Sequence, residues 1–297
     1  MAATEKRDRQ LTVVDSSVRW INWWSNLRET LRYRSLLHNL VKRDIKVRYR
    51  NSILGVLWSL LNPLLMMLVF SLIFGKLMPR EDIRQYAVFF LVGLLPWQFF
   101  SNSLISGTVS TTDGSNMIKK IYFPRELLPT SSVISNLVHF MLAFLVLLVF
   151  LYASGLFLTI HALWLPPLLL TQIIFTLGLA MILSTLNVFY RDVLMIIDVI
   201  LLAWFFLTPV IYPLEWMGQA QTILGITFEP AQVMRWINPM ASIIDGYRTV
   251  LWGTLASDGP VGMDPLYLTR TFVTAIIIFI LGYLFFTRFK HLFAEKL

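Results

Sequence analysis

Long uncharged stretches separated by short charged ones organise the chain, and the stretches have the length of membrane-crossing helices. About 20 apolar residues are needed to cross the hydrocarbon core as a helix. Residues 53–75 carry no charge and end at Lys76, which predicts a first span. Residues 85–112 are also uncharged, and their apolar part predicts a second span over about 87–107. Leu127 to Tyr190 contains no Asp, Glu, Lys or Arg, which is too long for one crossing. The turn-prone triplet Ala153-Ser154-Gly155 divides it into spans over about 132–152 and 163–183. A fifth span, 193–213, is interrupted by one acid, Asp198, and a sixth, 268–288, is bracketed by Arg270 and Arg288. The expected architecture is an all-α polytopic membrane protein with six transmembrane helices over 53–288, an N-terminal segment 1–52 and a tail 289–297.

The segments between spans have patterns of their own. Tyr33, Leu36, Leu37, Leu40, Val41, Ile45 and Tyr49 recur at helical spacing, with Arg32, Arg34, Lys42, Arg43, Lys46, Arg48 and Arg50 around them. This pattern predicts an amphipathic helix lying in the membrane interface before the first span. In the loop after span two, Met117, Ile118, Ile121 and Tyr122 form an apolar face on a short helix that Pro124 stops. That face needs a cover, either the protein's own helices or a partner. Residues 214–267 are too long for a hairpin and too apolar for a free loop. They predict short helices over Gln221–Phe228, Ala231–Ile237 and Ala241–Leu255, read as re-entrant pieces before the last span. Pro63, Pro96, Pro166, Pro167 and Pro209 fall inside the predicted spans, where each would kink its helix.

Composition sharpens this picture. Apolar residues make up 57% of the 297 and charged residues 14%. A soluble domain carries roughly 25% charged residues, so a soluble fold is excluded. Cysteine is absent, which removes disulfides, thiolate chemistry and Cys-ligated metals. The net charge of +8 would suit nucleic acid, but its distribution points to a membrane surface instead. With both termini on one side, that side holds 19 Lys and Arg and the other holds six: Lys76, Arg80, Arg84, Arg235, Arg248 and Arg270. By the positive-inside rule both ends are cytoplasmic, and no nucleic-acid partner is expected. The first 50 residues are too charged for a secretory signal.

Candidate chemistry is sparse. There is no G-x-x-x-x-G-K-[ST] loop for a nucleotide and no H-E-x-x-H. His38, His139, His161 and His291 are too scattered for a metal site, so neither catalytic residues nor a metal is expected. Asp198 is the one acid within a span, at an insertion cost of about 2.5–3.5 kcal/mol, and would face a cavity or partner. Aromatic residues reach 14%. Interfacial belts account for many of them. The clusters Trp97, Phe99, Phe100 and Trp204, Phe205, Phe206, with Tyr212, could instead offer ring faces on which a sliding sugar chain rests.

Several runs, taken together and in order, carry a family resemblance. They are Val41–Trp58 (VKRDIKVRYRNSILGVLW) with Asn62-Pro63, then Ile121–Pro129 (IYFPRELLP), Tyr190-Arg191-Asp192-Val193, Pro209-Val210-Ile211-Tyr212-Pro213, and Asn238-Pro239-Met240 followed by Arg248. The chain resembles the membrane subunit of type-2 ABC exporters of lipid-linked polysaccharide. That resemblance implies a homodimer bound to two copies of a separate ATPase, which holds the ATP and Mg. It also implies a substrate such as O-antigen, capsule or teichoic acid on an undecaprenyl-type carrier. Ile118, Ile121, Tyr122, Phe123, Arg125, Glu126, Tyr190, Arg191 and Asp192 would then take up the ATPase's motion. Arg48, Arg50, Lys119 or Arg125 is expected to meet the lipid pyrophosphate, and the aromatic clusters to line the glycan's path. An ion-driven carrier using Asp198 and a membrane-embedded glycosyl- or acyltransferase are the competing classes.

Overall fold

The computed structural model describes residues 32–48, 52, 54, 57–77, 82–217, 221–223 and 226–297, without the side chains of 59, 60, 75, 221–223 and 226–228. The expectations for residues 1–31, Tyr49 and Arg50 lie outside the described residues.

Among the described residues four helices are long and apolar enough to cross a membrane: Tyr86–Asp113, Leu127–Ala153, Ile160–Phe189 and Pro265–Lys296, each including any helical turns continuous with it. Two shorter apolar helices, within Leu61–Leu72 and Val193–Leu207, sit where the first and fifth spans are expected. In chain order the helices are α1 (Arg34–Arg48), α2 (Trp58–Leu72, continued by a π-helical turn Ile73–Leu77), α3 (Tyr86–Asp113), α4 (Ser115–Ile118) and α5 (Leu127–Ala153). There follow α6 (Leu165–Phe189), α7 (Val193–Leu207), α8 (Pro230–Ile237), α9 (Pro239–Leu251), α10 (Pro265–Phe289) and α11 (Phe293–Lys296).

The boundaries follow local chemistry. Helix α5 ends at Ala153, and Gly155 at φ 79° makes the turn that a side chain would resist. Pro166 and Pro167 are in the first turn of α6, where a missing N–H costs nothing, and Pro209 lies beyond the end of α7. These three therefore kink no helix, contrary to expectation; Pro63 and Pro96 are inside α2 and α3. The helix expected over Gln221–Phe228 is a hairpin of strands β1 (Gln221–Ile223) and β2 (Ile226–Phe228), with Thr222 opposite Thr227. Thr222, Ile223, Ile226 and Thr227 are all β-branched, so strand geometry suits them better than a helix does. The helix expected to end at Leu255 stops at Leu251, and Gly253 at φ 109° turns the chain.

Helix α3 is the axis of the bundle and is buried along most of its length, with Leu91, Val92, Phe100 and Leu104 fully covered. Helices α6 and α10 cross with their backbones nearly touching. A Cβ on Gly178 would lie 2.6 Å from the Phe279 Cα and 2.7 Å from its nitrogen. Small residues at such crossings let membrane helices gain dispersion contact where no hydrophobic effect drives association.

Helix α1 climbs α5 and does not lie flat across the bundle's end. Leu40 packs in one cluster with Leu127 and Leu128, Ser131 Oγ donates to the Asp44 carboxylate at 3.2 Å, and Arg48 donates to the Asn136 Oδ1 at 2.9 Å. The contacts advance together along both helices, as for two rods running side by side. The polar partners on α5 draw the amphipathic helix upward.

Candidate functional site

The bundle has a basic end, formed by α1, the 114–126 loop, the turn at 190–192 and the C-terminal segment, and a far end formed by residues 208–264. The expected site residues are divided between them.

At the basic end the 114–126 loop splits its apolar face. Ile118 and Phe123 are buried against Leu36, Leu37 and Leu40 of α1 and against Leu297, so the protein's own helices cover half of that face. Ile121 (51% exposed) and Tyr122 (84% exposed) point away, uncovered. Tyr190, at the neighbouring turn, is 68% exposed, and Arg191, Asp192 and Lys119 are exposed too. Two of the nine expected coupling residues do something else. Arg125 donates to the Lys290 carbonyl, and the Lys290 ammonium pairs with Glu126 at 2.7 Å, with Glu126 almost wholly buried. Burial pushes the Arg125 guanidinium down from its ordinary value, while Glu126 and Tyr122 beside it pull it back up. These two residues bind the loop to the C-terminal segment, which places Arg125 on the protein itself and not facing outward for a phosphate. Sequence spacing could not show this, since the partner is 165 residues away.

The aromatic residues do not share one surface. Trp97, Phe99 and Phe100 are buried. Phe100 stacks on Phe175 at 5.6 Å between ring centres and meets the edge of Trp204 at 5.2 Å; Trp97 contacts Phe205 at 5.7 Å. The Trp204 indole donates to the Asn238 Oδ1 at 3.0 Å. These rings form a knot joining α3, α6 and α7 in which one ring's face is covered by the next. Tyr212 is half-buried, and Phe206 is 59% exposed on the outside of α7. Asp198 and a row of apolar side chains (Met195, Val199, Leu202) are exposed on the same helix.

At the far end the motifs resolve into one hydrogen-bonded unit that sequence spacing did not assign. Arg248 is 5% exposed and donates to four backbone carbonyls, those of Phe89, Pro209, Val210 and Tyr212. Its guanidinium lies 3.7 Å above the centre of the Phe89 ring, a close cation–π contact. Gly93 makes the space, because a Cβ there would meet the Arg248 Nη2 at 2.6 Å. Asn238 caps α9 by accepting from the Met240 and Ala241 amides, and its amide donates to the Thr208 hydroxyl at 2.9 Å. The Pro209–Pro213 turn, the Asn238-Pro239 junction and Arg248 are thus three parts of one clamp. Helix α9 fills the space beneath it, with Tyr247 against Phe140 and Phe144.

Comparison with known proteins gives the family. Residues 35–252 match the family described as ABC-2 type transporter. The chain is 41% identical over 227 residues to an O-antigen export system permease protein RfbA of Myxococcus xanthus, covering 76% of this chain and 84% of that protein. Against an O-antigen export system permease protein RfbA of Klebsiella pneumoniae it is 34% identical over 263 residues, covering 88% and 95%. The match extends from the start of α1 to the end of the Arg248 clamp, and the chain belongs to the ABC-2 type transporter family of membrane proteins.

Proposed function

We propose that this chain is the permease subunit of an ATP-driven exporter that moves an undecaprenyl-linked polysaccharide, O-antigen foremost, across the cytoplasmic membrane through a homodimeric channel. The observation that carries this reading is the identity to O-antigen export permeases over nearly their full length. In this reading the chain is not an enzyme, and ATP and Mg are held by two copies of a separate ATPase. The short helices α2 and α7 complete six spans, with both termini cytoplasmic and the 214–267 region re-entrant from outside. The basic end faces the ATPase, and Ile121, Tyr122, Tyr190, Arg191 and Asp192 form the surface it pushes. Ile118, Phe123, Arg125 and Glu126 stiffen that surface from behind. Lys119, with Arg48 and Arg50, meets the lipid pyrophosphate. A ligand shifts an equilibrium only by its differential affinity, so the ATPase must grip this surface differently in its two nucleotide states. The glycan passes between two copies along α2 and α7. In that channel Phe206 and Tyr212 offer surface, and the Trp97, Phe100, Trp204 and Phe205 knot fixes the wall, while Phe99 packs on Phe140 on the other side of α3.

The test is reconstitution of the chain with its ATPase in vesicles, following an undecaprenyl-linked glycan with and without ATP. ATP-dependent appearance of glycan in the opposite leaflet is expected. Transport by the chain alone without nucleotide would overturn the reading and favour an ion-coupled carrier.

A further inference from the structure

A polar cleft of about 470 Å³, half open to the surface, lies between α2, α3 and α5, with the end of α1 at its mouth. Six polar side chains line it: Arg48, Asn62, Gln98, Asn102, Asn136 and His139. They come from four helices, and on each long helix they follow the helical repeat. Gln98 and Asn102 are four apart on α3, and Asn136 and His139 are three apart on α5, so each pair projects from one face. Asn136 lies nine residues into α5, roughly 14 Å along the helix from its start, where its polar first turns give way to the apolar run from Phe140. Polar groups at such depth are costly among lipid tails and mark binding or conduction sites by default.

The lining also defines the ligand class. Among the described residues Arg48 is the one charged side chain on the cavity wall, and none of them places a carboxylate there. Its guanidinium donates to the Asn136 Oδ1, while the Asn136 amide donates to the Ser106 hydroxyl at 2.7 Å and the Ser132 carbonyl at 2.9 Å. Asn136 thereby fixes the cation at the cavity, leaving further guanidinium donors for a ligand. Around the polar patch the wall is apolar, with Phe99, Phe140 and Ala143. A cation and several amides surrounded by apolar side chains suit an anionic head on an apolar tail.

We infer that this cavity binds the phosphate head of a membrane amphiphile, held by Arg48 with Asn62, Gln98, Asn102, Asn136 and His139. The inference deepens the proposed function and rests on it for the source, a polyprenyl pyrophosphate in preference to a phospholipid. It places the head inside the bundle once it has passed Lys119, an exposed first contact, with Arg125 held on the Lys290 carbonyl.

The experiment is native mass spectrometry of the purified full-length protein titrated with undecaprenyl pyrophosphate, undecaprenol or phosphatidylglycerol. Undecaprenyl pyrophosphate is expected to be retained at least ten-fold more than undecaprenol. Arg48→Gln and Asn62→Ala are each expected to lower that retention several-fold, and Lys296→Ala, at an exposed lysine outside the cavity, to leave it unchanged. Asn62→Ala removes an exposed amide, so it keeps the test open should Arg48→Gln fold poorly. Equal retention of undecaprenol, or full retention by both variants, overturns the site. Weak competition by phosphatidylglycerol supports the polyprenyl source; full competition keeps the site and reassigns its occupant to bulk phospholipid. Binding that survives alongside a failed ATP-driven export assay separates the two proposals, since the cavity then stands and the exporter reading falls.

Discussion

The two ends of the bundle spend their charged residues in opposite ways. At the far end Arg248 is surrounded by protein and gives its hydrogens to carbonyls of two segments, Phe89 of α3 and the turn at 209–212, so it is committed to the fold and not to a partner. At the basic end charged and aromatic side chains alternate between inward and outward. Glu126 and Arg125 hold the C-terminal segment, while Tyr122, Tyr190 and Arg191 face solvent without cover. A charge with saturated backbone partners is an architectural fastener. An exposed aromatic residue beside free charges is a contact awaiting its surface. Both ends are rich in Arg, and only burial tells the two uses apart.

This contrast can be broken by substitution, and the expected effects on folded stability descend from the far end to the basic end. Arg248→Leu leaves the carbonyls of Pro209, Val210 and Tyr212 buried without their donor, at about 1–3 kcal/mol for each group left unsatisfied. The expected outcome is loss of the monodisperse peak in detergent size-exclusion chromatography, and a normal profile would refute the clamp. Gly178→Ala forces a methyl group to 2.6 Å from the Phe279 Cα, and a loss of about 1–3 kcal/mol should register as a lower melting temperature. Lys290→Met deprives the buried Glu126 of its cation, with a smaller loss of about 1–2 kcal/mol because the lysine is about one-third exposed. Its readout is faster proteolysis within residues 119–126. Tyr122→Ala sits at the bottom of the series, with stability changed by no more than about 0.5 kcal/mol. In the reconstituted complex the same variant should abolish glycan-stimulated ATP hydrolysis. Unaltered coupling would show that this exposed ring is idle.

What the sequence made legible was set by local physics. The break at Ala153-Ser154-Gly155 and the stripe of α1 are each decided by a few neighbouring residues, and the structure carries both; the short helix expected to run up to Pro124 ends already at Ile118, so Ile121 and Tyr122 lie beyond it. The uncharged stretches located the four long helices, although α5 begins at Leu127, earlier than the polar Ser131, Ser132 and Asn136 suggested. Ser131 returns its hydroxyl to the Leu128 carbonyl or to Asp44, so it does not interrupt the helix. Long-range pairing was not legible. Nothing near Arg248 in the chain announces Phe89 or Pro209, and nothing near Glu126 announces Lys290. The aromatic clusters misled for another reason. Phe and Trp are equally at home in a lipid belt, a sugar track or a packed core, and only the ring-on-ring geometry of Phe100, Phe175 and Trp204 assigns them to the core.

The clamp has a mechanical corollary. Phe89 is pinned near the start of α3, and from there to Asp113 the helix continues through Pro96 without a break for about 36 Å. A rod held at one tip magnifies rotation, so a tilt of only about 5° about Phe89 would swing the opposite tip by roughly 3 Å. A pivot of this kind lets a modest stroke below reshape the bundle, while the roof above stays still.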